Sequence, residues 1–201
     1  MGRTVTGYHG GLYEDLVLMA DGQFDNRERG KSRWLGQGLY FFEHNMDMAL
    51  YYARGRASSG GGKTPGVLKA EIDLTACFDV TTQAWQEIVR EAYQIYLDEC
   101  LRDNIEVVDQ KALEVLHGQV RAGYHGIWKS YGKNSLDYSM IERAIVLARE
   151  QRGLTFDTVR GAFIEWGPLY TSSWLYAGAH VAVAVRNPPE RLSKMQAFEV
   201  S

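Results

Sequence analysis

The spacing of apolar residues changes period several times along the 201-residue chain, and each change marks an element. Residues 4–9, TVTGYH, read as a short strand. Residues 11–20 read as a helix with Leu12, Leu16 and Met19 near one face. From 21 to 38 the periodicity is lost. The stretch DGQFDNRERGKSRWLGQG is polar and punctuated by glycine, which predicts a loop. LYFF, at 39–42, is a short buried strand. Asn45 suits the N-cap of a helix over 46–54, where Met46, Ala49, Leu50 and Ala53 stand at helical spacing. VLKAEIDL, at 67–74, alternates. Leu68, Ala70, Ile72 and Leu74 share one face and Lys69, Glu71 and Asp73 the other, the pattern of a half-buried strand. A largely helical stretch follows over about 82–151. Trp85, Ile88, Val89, Ala92, Ile95 and Tyr96 mark its first helix, and Ile141, Ala144, Ile145 and Ala148 its last. Strand patterns return at 156–166 and 179–186. No internal repeat is apparent. The expectation is one α+β domain over 1–201 with a helical insertion at about 82–151.

Between the second helix and the strand at 67–74 stands ASSGGGKT, residues 57–64. It comes close to the phosphate-loop pattern, with Ala57 where the first glycine belongs. A phosphate loop needs a strand before it and a helix after it, so that the helix N-terminus and loop amides meet the phosphates. Here the order is reversed, and Pro65-Gly66 opposes a helix directly after Lys63-Thr64. The stretch reads as a connector.

Composition narrows the class without naming a function. Apolar residues make up 45% and charged residues 23%, ordinary for a globular domain. The net charge of −3 supplies no global basic field for nucleic acid. Cys77 and Cys100 form no CxxC, and the histidines at 9, 44, 117, 125 and 180 lack the close spacing of a zinc site, so no metal is expected. No apolar run reaches the ~18 residues of a membrane span, and no signal pattern opens the chain. Met1-Gly2 with Thr6 fits the loose myristoylation pattern, but Val5 through His9 already reads as the first strand. The expected location is the cytoplasm, with no membrane partner.

Three pieces stand out together. Tyr8-His9-Gly10-Gly11 closes the first strand. Gly36-Gln37-Gly38-Leu39-Tyr40-Phe41-Phe42 precedes the helix that carries Ala49 and Tyr51. Glu165 ends the strand GAFIEW. In this order, and with these strand and helix contexts, the chain resembles the H-Y-E class of ADP-ribosyltransferases, the class of the poly(ADP-ribose) polymerases and related bacterial toxins. The likeness covers about 1–80 and 155–186. It implies an ADP-ribosyltransferase-like split β-sheet core. In the family a serine often stands three residues before the second tyrosine, where this chain has Met48.

The resemblance implies a reaction as well. NAD+ would be the co-substrate, cleaved between ribose and nicotinamide through an oxocarbenium-like transition state. Glu165 would stabilise that positive charge from beside the ribose. His9 would hold the adenosine ribose, and Gly10 would pair with the carboxamide through its backbone. Tyr40 and Tyr51 would sandwich the nicotinamide ring. The loop at 21–38 would act as a lid. Between 27 and 33 its Arg27, Arg29, Lys31 and Arg33 stand against Glu28 alone, a cluster suited to the pyrophosphate or an anionic substrate. The stretch from 82 to 151 carries eleven acidic against eight basic residues and reads as a cap or partner-docking element. The chain looks like a small toxin of a toxin–antitoxin or phage-defence module. It would transfer ADP-ribose to an intracellular macromolecule, RNA first, then DNA or protein, and an antitoxin protein would be its partner. An NAD+ hydrolase using the same site, a non-catalytic binding module on the same fold and a P-loop NTPase are the competing expectations.

Overall fold

The computed structural model of the chain describes residues 3–24, 34–59, 61, 63–104, 135–164 and 166–200. Two compact units are present. One comprises Met1–Arg29, Gln37–Thr81 and Phe156–Ser201, and the other Gly30–Gly36 with Thr82–Thr155.

The first unit holds a seven-stranded mixed sheet. Its strands are β1 (Thr4–Leu12), β2 (Leu39–Glu43), β3 (Pro65–Asp73), β4 (Cys77–Asp79), β5 (Thr158–Ile164), β6 (Ala179–Val185) and β7 (Leu192–Glu199), in the order β4-β5-β6-β2-β1-β3-β7. Only β4 and β5 run parallel; every other neighbouring pair is antiparallel. Among the described residues three helices belong to this unit: α1 (Tyr13–Ala20), α2 (Met46–Ser59) and the short α5 (Pro188–Arg191). The α+β class expected from the alternating periods is present.

Strand alternation sends the side chains of β1 to opposite faces. On one face Val5, Phe41, Leu68, Ile72 and Val183 form the main core, closed by Leu16 and Met19 of α1. On the other face α2 lies directly on β1. A Cβ at Gly10 would fall inside the contact radius of the Ala49 carbonyl oxygen and 2.9 Å from the Ala53 nitrogen. The helix can therefore approach only because position 10 has no side chain. The expected N-cap is present too: Asn45 Oδ1 accepts from Met48 N–H at 3.1 Å. Met48 itself is buried.

Several boundaries differ from the sequence expectation. β1 runs three residues past His9, to Leu12, because β3 continues to pair with it through Leu12↔Pro65. His9-Gly10 thus lies inside the strand, and α1 starts at Tyr13. α2 runs on to Ser59, so Ala57, Ser58 and Ser59 are its last turn and β3 begins at Pro65. That gives ASSGGGKT a helix before it and a strand after it, the wrong polarity for a phosphate loop. β4, α5 and β7 carry no clear period in the sequence. β7, LSKMQAFE, is an edge strand held by its ladder to β3.

The second unit contains α3 (Gln83–Arg102) and α4 (Ser135–Arg152). They face each other through Ile88, Ala92, Ile141, Ala144 and Ala148, all buried, as the helical spacing predicts. Arg152 lies over the Trp85 ring at 5.4 Å and Arg143 over Tyr96 at 5.7 Å. The remainder of the expected helical insertion lies outside the described residues.

One buried ion network fixes one end of the sheet in the first unit. Arg160 of β5 donates from Nε to Glu43 Oε2 at 2.6 Å and from Nη2 to Glu43 Oε1 at 3.0 Å. Its Nη1 donates to both Asp79 oxygens at 3.2 Å and to Thr81 Oγ1 at 2.9 Å. The hydrogen bond to Glu43 raises the guanidinium above its ordinary range, so Arg160 stays charged. Removing one partner of a buried pair strands the other charge. Arg160→Met should therefore lower stability by about 3–5 kcal/mol, read as a fall in the urea midpoint. Gly10→Ala should cost about 1–3 kcal/mol by overpacking in the same measurement.

Candidate functional site

β1 and β2 share only two registered pairs, Gly7↔Glu43 and Tyr8↔Phe42, and the ladder ends there. Just past that point the His9 side chain takes the place of a backbone donor. Its Nδ1–H donates to the Tyr40 carbonyl oxygen at 2.7 Å. A carbonyl can only accept, so Nδ1 carries a proton. The His9 ring lies 5.7 Å from Phe41, on the core face, and is 4% exposed. His9 and Tyr40 are thus brought together through the Tyr40 backbone. Alternation puts the Tyr40 side chain with Phe42, on the face that α2 covers.

That second face carries a connected row of rings. Phe42 packs 5.1 Å from His180 and 5.2 Å from Tyr52, and Tyr52 lies 5.6 Å from Tyr51. Tyr51 meets the Trp166 ring edge-on at 5.2 Å. Phe163 closes the other end, 6.0 Å from His180. Trp166 is held from behind by Gly178, whose φ is +68°; a Cβ there would come within 2.6 Å of the indole. The sequence pattern singled out Tyr51 from this row. Tyr52, Trp166 and His180 were missed, although AHVAVAV places His180 on one face with Ala182 and Ala184. His180 donates from Nδ1 to the Gly178 carbonyl oxygen at 2.7 Å.

Tyr51 is 54% exposed and stands on the wall of an open groove of about 920 Å³. The groove runs along one side of α2, past Asp47, Leu50, Tyr51, Arg54 and Ser58, with Leu12 and Asp15 contributed from the junction of β1 and α1. Its volume lies in the range of small-ligand sites. Neither His9, Gly10 nor Tyr40 lines it. Gly10 faces the helix backbone, so the close approach that its missing side chain allows is to Ala49. Glu165 and the loop residues Arg27, Arg29 and Arg33 lie outside the described residues. Trp166, the neighbour of Glu165 in sequence, is the described residue that joins that strand end to Tyr51.

Beyond Trp166 the chain makes a hydrogen-bonded hairpin before β6. Trp166 and Ala177, Gly167 and Ala177, and Leu169 and Leu175 are joined through the backbone at 3.3, 3.0 and 2.9 Å. Ser173 pins the tip, its Oγ accepting from Leu175 N–H at 2.9 Å. The tip points large apolar groups outward: Trp174 is 91% exposed, Tyr170 65% and Leu175 62%.

No family model, no curated protein and no solved structure matches the chain. Among the described residues no cluster of His, Cys, Asp and Glu suits a metal ion, and no helix is long and apolar enough to cross a membrane.

Cys77, on β4, is a free, half-buried thiol. Burial pushes its thiol up to about 11, against weaker lowering by a hydrogen bond with Thr158, and only the thiolate attacks. At pH 8 Cys77 should resist iodoacetamide in the native protein and react once the chain is unfolded, as read by peptide mass mapping.

Proposed function

We propose that this chain is a mono-ADP-ribosyltransferase that cleaves NAD+ and passes ADP-ribose to a macromolecule. One observation carries the reading. A single helix, α2, joins three of the segments on which the resemblance rests: it bears Tyr51, it lies on β1 at Gly10, and Tyr51 touches Trp166, the residue after Glu165. The two-pair ladder between β1 and β2, with His9 in the gap, supports the split-sheet reading.

In this reading Tyr51 stacks on the nicotinamide ring at the groove wall, a contact of about 0.5–1.5 kcal/mol beyond area burial. Tyr40 is the second tyrosine of the proposed sandwich. The bond from ribose C1′ to the pyridinium nitrogen breaks, and its electron pair leaves with nicotinamide as the neutral molecule. Glu165 stabilises the oxocarbenium-like charge on the ribose. An oxygen or nitrogen of the acceptor attacks C1′ and gives up its proton to solvent. No oxidant or reductant enters. His9 fixes the Tyr40 backbone through its Nδ1–H.

The acceptor is a macromolecule in preference to water because the exposed hairpin beside Trp166 presents an apolar surface of the kind that marks macromolecular docking. RNA is the first acceptor to test, on the cationic stretch at 27–33; an antitoxin protein is the proposed partner, in the cytoplasm. The test uses labelled NAD+ with separated RNA, DNA and protein fractions. Wild-type protein should release nicotinamide and leave label on one polymer. Glu165→Gln should reduce release at least 100-fold, and Tyr51→Ala should reduce kcat/KM about 10-fold. Release of nicotinamide with no polymer labelled would make the enzyme an NAD+ hydrolase. Wild-type turnover by Glu165→Gln would end the proposal.

A further inference from the structure

The two edges of the seven-stranded sheet are closed to different degrees. β4, at one edge, is three residues long, and its Asp79 is bound by Arg160 and Arg3. A strand that short offers little to pair with. β7, at the other edge, runs for eight residues and bonds to β3 alone. Its first half is guarded. The ladder to β3 is interrupted between Lys69 and Glu71, and there Lys194 has φ +48°. A bulge and an exposed lysine are both devices that keep a further strand away. The Lys194 ammonium is turned to Glu71, at 2.8 Å. From Gln196 to Glu199 no such device is present. The ladder is regular, proline is absent and the single charge is Glu199.

The ladder also decides which backbone groups of that half are left over. Val200 N–H donates to the Pro65 carbonyl at 3.0 Å, in register with Glu199↔Gly66 and Phe198↔Val67. Bonded pairs alternate along an antiparallel ladder, and the N–H and C=O of one residue point to the same side. Val200, Phe198 and Gln196 therefore bond to β3. Ala197 and Glu199 turn their N–H and C=O outward. Among the described residues no strand lies beside them. Ala197 packs toward the core under α1, so alternation puts Phe198, which is half-buried, on the opposite face.

We infer that this half of β7 pairs antiparallel with β7 of a second copy of the chain, about a two-fold axis at Phe198. The two outward residues flank Phe198. Pairing centred there sets Ala197 against the partner's Glu199, and Glu199 against the partner's Ala197. Every outward N–H and C=O of both strands is then bonded. A pairing centred on Ala197 would set Glu199 against the bulge instead. The strand is thus its own complement, which a two-fold contact between identical chains requires. No charge stands opposite a like charge, and Lys194 lies beyond the paired stretch. Phe198 meets the partner's Phe198 as a non-hydrogen-bonded pair, the position where cross-strand side chains come closest. The other face contributes as well. α1 lies over β7 and β3 and exposes Val17 and Leu18. The two-fold brings the partner's α1 to the same face of the joined sheet. This dimer stands apart from the NAD+ reading and does not rest on it.

The test is sedimentation equilibrium of the full chain and of two variants, with a cross-linking pair beside it. Wild type should sediment as a dimer at ~100 μM protein. Ala197→Pro removes an outward donor and no bond to β3, the one place where an edge strand tolerates proline. It should keep the wild-type far-UV circular dichroism and raise the dimer dissociation constant at least 10-fold. Trp174→Ser, on the exposed hairpin, should dimerise as the wild type does. Phe198→Cys puts a thiol at the two-fold, where paired Cα atoms stand about 4.5 Å apart, within disulfide reach. Oxidised with diamide, it should run as a disulfide-linked dimer on a non-reducing gel. Gln196→Cys, two residues from the axis, should not, and wild type is the control for Cys77 and Cys100. A wild type that is a monomer at ~100 μM would overturn the inference. So would a dimer that survives in folded Ala197→Pro, or one that is lost in Trp174→Ser. If Ala197→Pro does not fold, the cysteine pair decides. Equal cross-linking at 196 and 198, or none at 198, would overturn the pairing.

Discussion

The contact between Gly10 and the backbone of α2 is the constraint on which the rest of the candidate site depends. With no Cβ at position 10, the Ala49 carbonyl and the Ala53 amide can lie on β1. Small residues line that side of the helix: Ala49, Ala53 and Ala57, all buried. Their burial at helical spacing fixes the rotation of α2 about its axis. The opposite side, with Tyr51, Arg54 and Ser58, is then obliged to face outward. The groove follows from that rotation, as does the meeting of Tyr51 with Trp166. A helix held a few ångströms farther off would lose both the close packing and the ring contact.

The buried arginine has a complementary role at one end of the same sheet. Arg160 crosses from β5 to Glu43, at the end of β2, and to Asp79, at the end of β4. The strand between β5 and β2 is β6, so one guanidinium spans a three-strand width. Five donors in a planar fork suit that task, and lysine could not match it. Arg191 makes a smaller staple, donating to Asp157 at 2.6 Å and Asp73 at 2.8 Å. These pairs specify strand positions where the hydrophobic core has little to say, because the ends of strands are where apolar burial thins out.

Much of the architecture was legible in local patterns. The alternation of VLKAEIDL marked β3 and its buried face. Asn45 marked the start of α2, and the reversed order of elements around ASSGGGKT argued against a nucleotide-hydrolysing loop on polarity alone. The site was legible only in part. Tyr51 was singled out by the resemblance, in which a second tyrosine often stands on the helix after the glycine-led strand, and it lies on the groove wall. Its partners Trp166 and His180 are far away in sequence and carry no periodic signal of their own. Gly10 was noticed for its missing side chain, and the structure uses that absence to admit the backbone of α2; a sequence does not say which neighbour makes such a close approach. Nor did it reveal that the chain pairs His9 with a carbonyl, because that bond exists only where two strands part.

The sequence by itself determined the period of each long element, the capping of α2 and the buried face of β3. These depend on neighbours within a few residues, where spacing and side-chain chemistry act directly. Tertiary structure alone decided which strands are neighbours, how far β1 and α2 extend, and that a polar C-terminal segment becomes the edge strand β7. It also decided that Asp47, Tyr51 and Arg54 of α2 share one groove with Leu12 and Asp15. Those outcomes depend on contacts between residues tens of positions apart, whose free energy no local pattern contains.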